Sequence, residues 1–138
     1  MNPIRIKGLD HVVLRVADLA RAEAFWRDVL GCPEEKRNDA LGLYQYRAGA
    51  SLIDLVTLDG EIGRASACGP PAAGRNMDHV CIAIDPFDEA ALRAHLLAHG
   101  VAPGPVVRRY GAGGDGPSMY ITDPDGNQVE LKGPPDPT

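Results

Sequence analysis

Two histidines and two carboxylates stand in matching surroundings in this chain. His11 lies in Leu9-Asp10-His11-Val12-Val13-Leu14-Arg15-Val16, and His79 in Met77-Asp78-His79-Val80-Cys81-Ile82-Ala83-Ile84. Asp54 sits between Ile53 and Leu55, and Glu130 between Val129 and Leu131. Imidazole nitrogen and carboxylate oxygen together suit a borderline divalent ion. Four such ligands in an octahedral shell leave two positions for water or substrate, and an open position separates a catalytic site from a closed structural one. Acidic residues are depleted inside strands, so a carboxylate at the same place in each copy asks for an explanation. Either histidine alone reads better as a local cap at a strand start, and either carboxylate alone as a solvated residue on a sheet face. All four together, at repeat-related positions, read as the ligands of one metal ion. Asp54 is the weakest member, because its counterpart is a glutamate.

The elements that must position these residues also repeat. Each histidine opens a β-rich run, and strand parity puts His11, Val13 and Arg15 on one face and His79, Cys81 and Ala83 on one face. A helix follows each strand. Asp18 is an N-cap, Leu19, Ala22, Phe25, Trp26, Val29 and Leu30 recur at helical spacing, and Gly31 is the stop. In the second copy Asp85-Pro86 reads as the cap and first helical residue, with Phe87, Ala90, Ala94 and Leu97 as the apolar stripe and Gly100 at the end. Three short strands are expected after each helix, near 34–37, 42–47 and 51–58, then near 106–109, 118–122 and 128–132. The fold class is therefore α+β, with two tandem βαβββ modules at about 6–58 and 77–132. A Gly-, Ala- and Pro-rich connection, 59–76, joins them within one domain spanning 1–138. The halves are too short to be separate domains and are expected to pack about a pseudo-twofold axis. The tail after Lys132 is expected to be disordered.

Composition narrows the function classes. The chain has 138 residues, 44% apolar and 24% charged, with a net charge of -5 and no long basic run. That disfavours nucleic acid and anionic membranes as partners and leaves a small-molecule substrate. Met1 to Leu9 has no apolar core, so no secretory leader is expected, and no run nears the ~20 apolar residues of a membrane span. Cys32, Cys68 and Cys81 are odd in number and widely spaced, which fits a reducing cytoplasm rather than a disulfide framework.

The sequence resembles the vicinal oxygen chelate superfamily, the glyoxalase, bleomycin-resistance and extradiol-dioxygenase group, over Ile6 to Lys132. The motifs carrying the resemblance are Leu9 to Leu19, Phe25-Trp26-Arg27-Asp28-Val29-Leu30-Gly31, Asp78-His79-Val80, and Asp123-Pro124-Asp125-Gly126-Asn127-Gln128-Val129-Glu130-Leu131. The resemblance implies paired βαβββ modules forming a cupped mixed sheet around a metal site, commonly in a homodimer. It is strongest to the small bacterial glyoxalase I type, whose ligands are His, Glu, His and Glu. It implies a zinc, nickel, cobalt or manganese ion held by His11, Asp54, His79 and Glu130, glutathione as a possible cosubstrate, and a substrate carboxylate contacted by Arg15. Glu130 would shuttle the proton in a lactoylglutathione lyase-type isomerisation of a hemithioacetal. Asp54 departs from the pattern by one carbon–carbon step, about 1.5 Å. The alternatives are a thiol transferase or epimerase on the same scaffold, and a metal-free protein that sequesters a drug or metabolite, as bleomycin-resistance proteins do.

The remaining motifs read as structure. Gly111-Ala112-Gly113-Gly114-Asp115-Gly116-Pro117 lacks the Lys-Ser/Thr of a phosphate loop and is expected to be a mobile, lid-like loop. Arg108, Arg109 and Tyr110 before it read as a solvated strand edge. His95 and His99 belong to an outer helix face. Cys81 reads as a small core residue, Trp26 as core, and Asp123-Pro124-Asp125-Gly126 as a turn.

Overall fold

Alternation from His11 to Val16 dictates a strand with one inward face, and that strand is present as β1 (His11–Val16), where Leu14 and Val16 are buried and His11, Val13 and Arg15 are exposed. The computed structural model describes residues 5, 6, 8–65 and 77–137. The chain divides into two units, Met1–Pro70 and Pro71–Thr138.

In the first unit β1 is followed by α1 (Leu19–Glu23), capped by the Asp18 carboxylate, which accepts from the Arg21 amide at 3.0 Å. The helix continues as a π-wound segment, Ala24–Val29, in which the Leu30 amide reaches back to the Phe25 carbonyl. Gly31, at φ +78°, ends it in the left-handed region that glycine tolerates. Strands β2 (Glu34–Asn38), β3 (Leu43–Ala48) and β4 (Ser51–Thr57) complete a sheet of order β1-β4-β3-β2. β1 and β4 are parallel and the other pairs antiparallel. The expected stripe is inside: Ala22, Phe25 and Trp26 are buried with Tyr44, Tyr46, Ile53 and Leu55 from one sheet face. Buried Glu23 ties the helix to this sheet by accepting from the Tyr46 hydroxyl and from Arg37 of β2. Burial and that bond push the Tyr46 hydroxyl upward, so it remains a donor.

The second unit repeats the pattern. β5 (His79–Ala83) is followed by α2 (Glu89–Ala98), then β6 (Val107–Gly111), β7 (Gly114–Thr122) and β8 (Gln128–Lys132), in the order β5-β8-β7-β6 with β5 and β8 parallel. Met119, Ile121, Val129 and Leu131 fill one face. Asp123 fixes the entry to β8: its carboxylate accepts from the amides of Asp125 and Asn127 and from the Asn127 side chain. Each unit is thus one βαβββ module.

Four expectations are corrected. The connection 59–76 contains a short helix, Glu61–Ala65, opened by an acidic residue in its first turn; residues 66–76, Cys68 among them, lie outside the described residues. The second long helix begins at Glu89 rather than Pro86, because Asp88 is the residue whose carboxylate reaches a helical amide, that of Ala91 at 3.1 Å. With that start Leu96 is buried and Leu97 is 63% exposed. The glycine-rich stretch 111–117 is no loop: Gly111 pairs with Gly114 and Tyr110 with Asp115 across a two-residue turn. The segment after Lys132 is tied down, since the Gly133 and Asp136 amides donate to Pro117 and Asp115 carbonyls and Asp136 pairs with Arg108. Among the described residues no helix is long and apolar enough to cross a membrane.

Trp26 is fully buried against Phe25, their rings edge to face at 5.2 Å. Trp26→Ala is expected to cost about 3–5 kcal/mol, read as a lower urea midpoint at unchanged slope.

Candidate metal centre

Parallel pairing of first and last strands sets the register that matters. Val13 is opposite Asp54 in the first unit, and Cys81 opposite Glu130 in the second. Each histidine sits two residues before one of these partners and on the same face. The results are two imidazole–carboxylate pairs. His11 Nε2 is 4.0 Å from Asp54 Oδ2, and His79 Nε2 is 3.3 Å from Glu130 Oε1. The carboxylates are 3% and 5% exposed and the imidazoles partly exposed. Among the described residues no three His, Cys, Asp or Glu side chains form one metal-holding group, so each unit offers a pair.

The preceding aspartates aim the rings. Asp10 Oδ1 lies 2.7 Å from His11 Nδ1, and Asp78 Oδ2 lies 2.7 Å from His79 Nδ1. A ring that donates from Nδ1 keeps its Nε2 lone pair for a cation. That lone pair then faces a carboxylate oxygen, a repulsive arrangement until a proton or metal ion lies between them. The hydrogen bond to Asp10 and then the charge of Asp54 raise the His11 pKa accordingly.

The two carboxylates are held differently. Asp54 Oδ2 accepts from Gln45 at 3.1 Å, while Asp54 Oδ1 is buried with no hydrogen-bond partner. A buried carboxylate oxygen left without a donor is costly, and a cation would satisfy it. Glu130 accepts from the Ser118 hydroxyl at 2.6 Å and the Tyr120 hydroxyl at 2.9 Å. Burial works to raise its pKa, but these two bonds and His79 outweigh it and hold the carboxyl below its ordinary value. Nitrogen and carboxylate donors, rings aimed through Nδ1 and an orphaned buried oxygen all fit a divalent ion.

Cys81 is on this face too and is exposed rather than in the core as expected, because strand parity puts it with His79. Desolvation and the adjacent Glu130 charge push its thiol up to about 11, so it is protonated at neutral pH and a poor nucleophile. Arg15 shares the exposed face of β1 with His11. His95 on α2 and His99 at its C-cap are exposed, with their rings 4.7 Å apart. Sequence reasoning passed over the supporting residues. Asp10 and Asp78 were visible as a repeated Asp-His doublet. Gln45, Ser118 and Tyr120 became visible only with the strand register, which places Gln45 beside Asp54 and Tyr120 beside Glu130.

The sequence model of the Glyoxalase/Bleomycin resistance protein/Dioxygenase superfamily matches residues 8–131. The virulence protein STM3117 of Salmonella typhimurium is 30% identical over 128 residues, 91% of this chain and 83% of that protein. Among solved structures, the integron cassette protein VCH_CASS1 from the mobile metagenome of V. cholerae is similar at 29% identity and TM-score 0.73, over 94% of this chain and 97% of that one. A lactoylglutathione lyase from Agrobacterium tumefaciens is similar at 28% identity and TM-score 0.64, over 96% of each chain.

Two outcomes follow from the geometry. Asp78→Asn should weaken nickel or zinc binding about 10–100-fold, measured by competition with a chelating dye. Glu130, with its depressed pKa, stabilises the metal-free fold above the ordinary carboxylate range and loses that contribution as pH falls through the depressed value. Glu130→Gln should therefore flatten part of the acid limb of the metal-free melting profile.

Proposed function

Because the chain belongs to the Glyoxalase/Bleomycin resistance protein/Dioxygenase superfamily, we propose that it is a divalent-metal-dependent enzyme of glyoxalase I-like type. Its metal ligands are His11, Asp54, His79 and Glu130. The observation that carries this reading is the matched pair in each module, an imidazole aimed by its preceding aspartate at a buried carboxylate. The orphaned Oδ1 of Asp54 supports it. So does the likeness to a lactoylglutathione lyase at 28% identity.

A bound divalent ion would supply Lewis acidity for two neighbouring substrate oxygens, typically worth several kcal/mol of charge stabilisation. The chain's own residues do the rest. Glu130 is ionised at neutral pH and is the base that moves a proton between adjacent carbons of a hemithioacetal. Ser118 and Tyr120 hold its two oxygens in place. As Glu130 takes up the proton those hydroxyls turn from stabilising a charge to positioning a neutral acid. Arg15 is proposed to meet a carboxylate at the far end of the substrate, as glutathione would provide. The setting is a reducing cytoplasm, compatible with free Cys32 and Cys81, and the working form is a homodimer.

A second reading, a metal-free sequestering protein, is the one the test must separate. Elemental analysis of the purified protein is expected to give near one equivalent of metal per chain, and Glu130→Ala much less. Loaded protein should then isomerise the methylglyoxal–glutathione hemithioacetal, with kcat reduced by at least 100-fold in Glu130→Gln. No metal in the wild type after reconstitution would leave the sequestering protein as the better reading.

A further inference from the structure

The second unit contains a cavity of about 560 Å³ on the His79–Glu130 face. Lys132 lines it, two residues beyond Glu130 on β8 and on the same side of the strand. The residue is 8% exposed. Among the described residues its ammonium makes no ion pair or hydrogen bond. Its stem is packed, while the ammonium is not among the buried atoms left without a partner, so the charge keeps access to water and to an anion in the cavity.

The surroundings are shaped around this side chain. A Cβ built on Gly111 would come within 2.6 Å of Lys132 Cε, and one on Gly116 within 3.0 Å of Lys132 Nζ. The two glycines belong to β6 and β7, so the glycine-rich hairpin leaves the space in which the lysine stem runs. Pro134 and Pro135 close another side of the cavity, held by the hydrogen bonds that the Gly133 and Asp136 amides donate to the Pro117 and Asp115 carbonyls of β7.

We propose that Lys132 is an anion-binding, specificity-determining residue, and that the natural substrate carries a carboxylate that pairs with it. Two residues of strand separate it from Glu130, about 7 Å. That spacing puts the carboxylate within about five carbon–carbon bonds, ~1.5 Å each, of the atoms that Glu130 serves. The group is a monoanion because the cavity holds one ammonium, while Asp85 and Glu130 also line it and would repel a dianion. The assignment deepens the metal-enzyme reading, on which the placement of the reacting atoms rests, but the charge pairing itself needs no metal.

The test compares 2-hydroxybutyrate with 2-hydroxybutyramide by titration calorimetry. Wild type, Lys132→Met and Lys132→Arg are measured as full chains, metal-free and nickel-loaded. The expected result is at least tenfold tighter binding of the carboxylate than of the amide in the wild type, kept in Lys132→Arg and lost in Lys132→Met. Lys132→Met should also melt no lower than the wild type, since it keeps the packed stem and removes only an ammonium that has no salt bridge among the described residues. An undiminished carboxylate preference in Lys132→Met, no preference in the wild type, or a strongly lowered melting point in Lys132→Met would each overturn the assignment. A preference present only with nickel and indifferent to Lys132 would give the carboxylate to the metal, overturning this proposal while leaving the metal reading intact. A Lys132-dependent preference in a chain that takes up no nickel would support the subsite and sink the metal reading instead.

Discussion

Parallel strands cannot be joined by a tight turn, so the chain between them must travel. In each module it travels through a helix and two further strands before the last strand returns beside the first. That return puts a residue from the module's start next to one from its end, His11 with Asp54 and His79 with Glu130. Everything chemical in the molecule depends on this pairing. The helix covers the other face, where Trp26 and Tyr46 in one unit and Met119 and Ile121 in the other are fully buried. Strand alternation then separates the two tasks: one face supplies the core, and the other carries the ionisable groups without disturbing it.

The ionisable face is built against the usual preferences of a folded chain. Asp54 Oδ1 has no donor, each imidazole Nε2 lies toward a carboxylate oxygen, and the Lys132 ammonium has no salt bridge among the described residues. The first costs stability in the free protein, and all three leave a place for a cation or an anion. Glu130 is the contrast, with both oxygens satisfied by hydroxyl donors. A carboxylate held ionised in this way is suited both to ligation and to proton transfer.

The glycine-rich hairpin shows how composition can mislead. Gly111, Gly113, Gly114, Gly116 and Pro117 argue for a loop, yet β6 and β7 pair through it. The glycines are there because something comes close: Lys132 against Gly111 and Gly116, and the Pro134 carbonyl 2.7 Å from where a Gly116 Cβ would be. Close approach by a residue far along the chain leaves no trace in local sequence other than the missing side chain. The ordered tail has the same origin, since its partners Pro117, Asp115 and Arg108 are residues of that hairpin.

The sequence by itself determined the module. The repeated Asp-His doublet, the capped helix after β1 and the two apolar–carboxylate–apolar triplets were enough to give the βαβββ order and to nominate His11, Asp54, His79 and Glu130, because periodicity and capping act over a few residues. Boundaries that rest on one local choice, such as Asp88 over Asp85 as a cap, were not legible. Only tertiary structure decided which hydroxyl or amide supports which carboxylate, that Asp54 keeps an oxygen without a donor, and that Lys132 lies buried in the cavity beside Glu130. Those facts follow from cross-strand register and from the approach of distant backbone, and neither is encoded within any one segment of the chain.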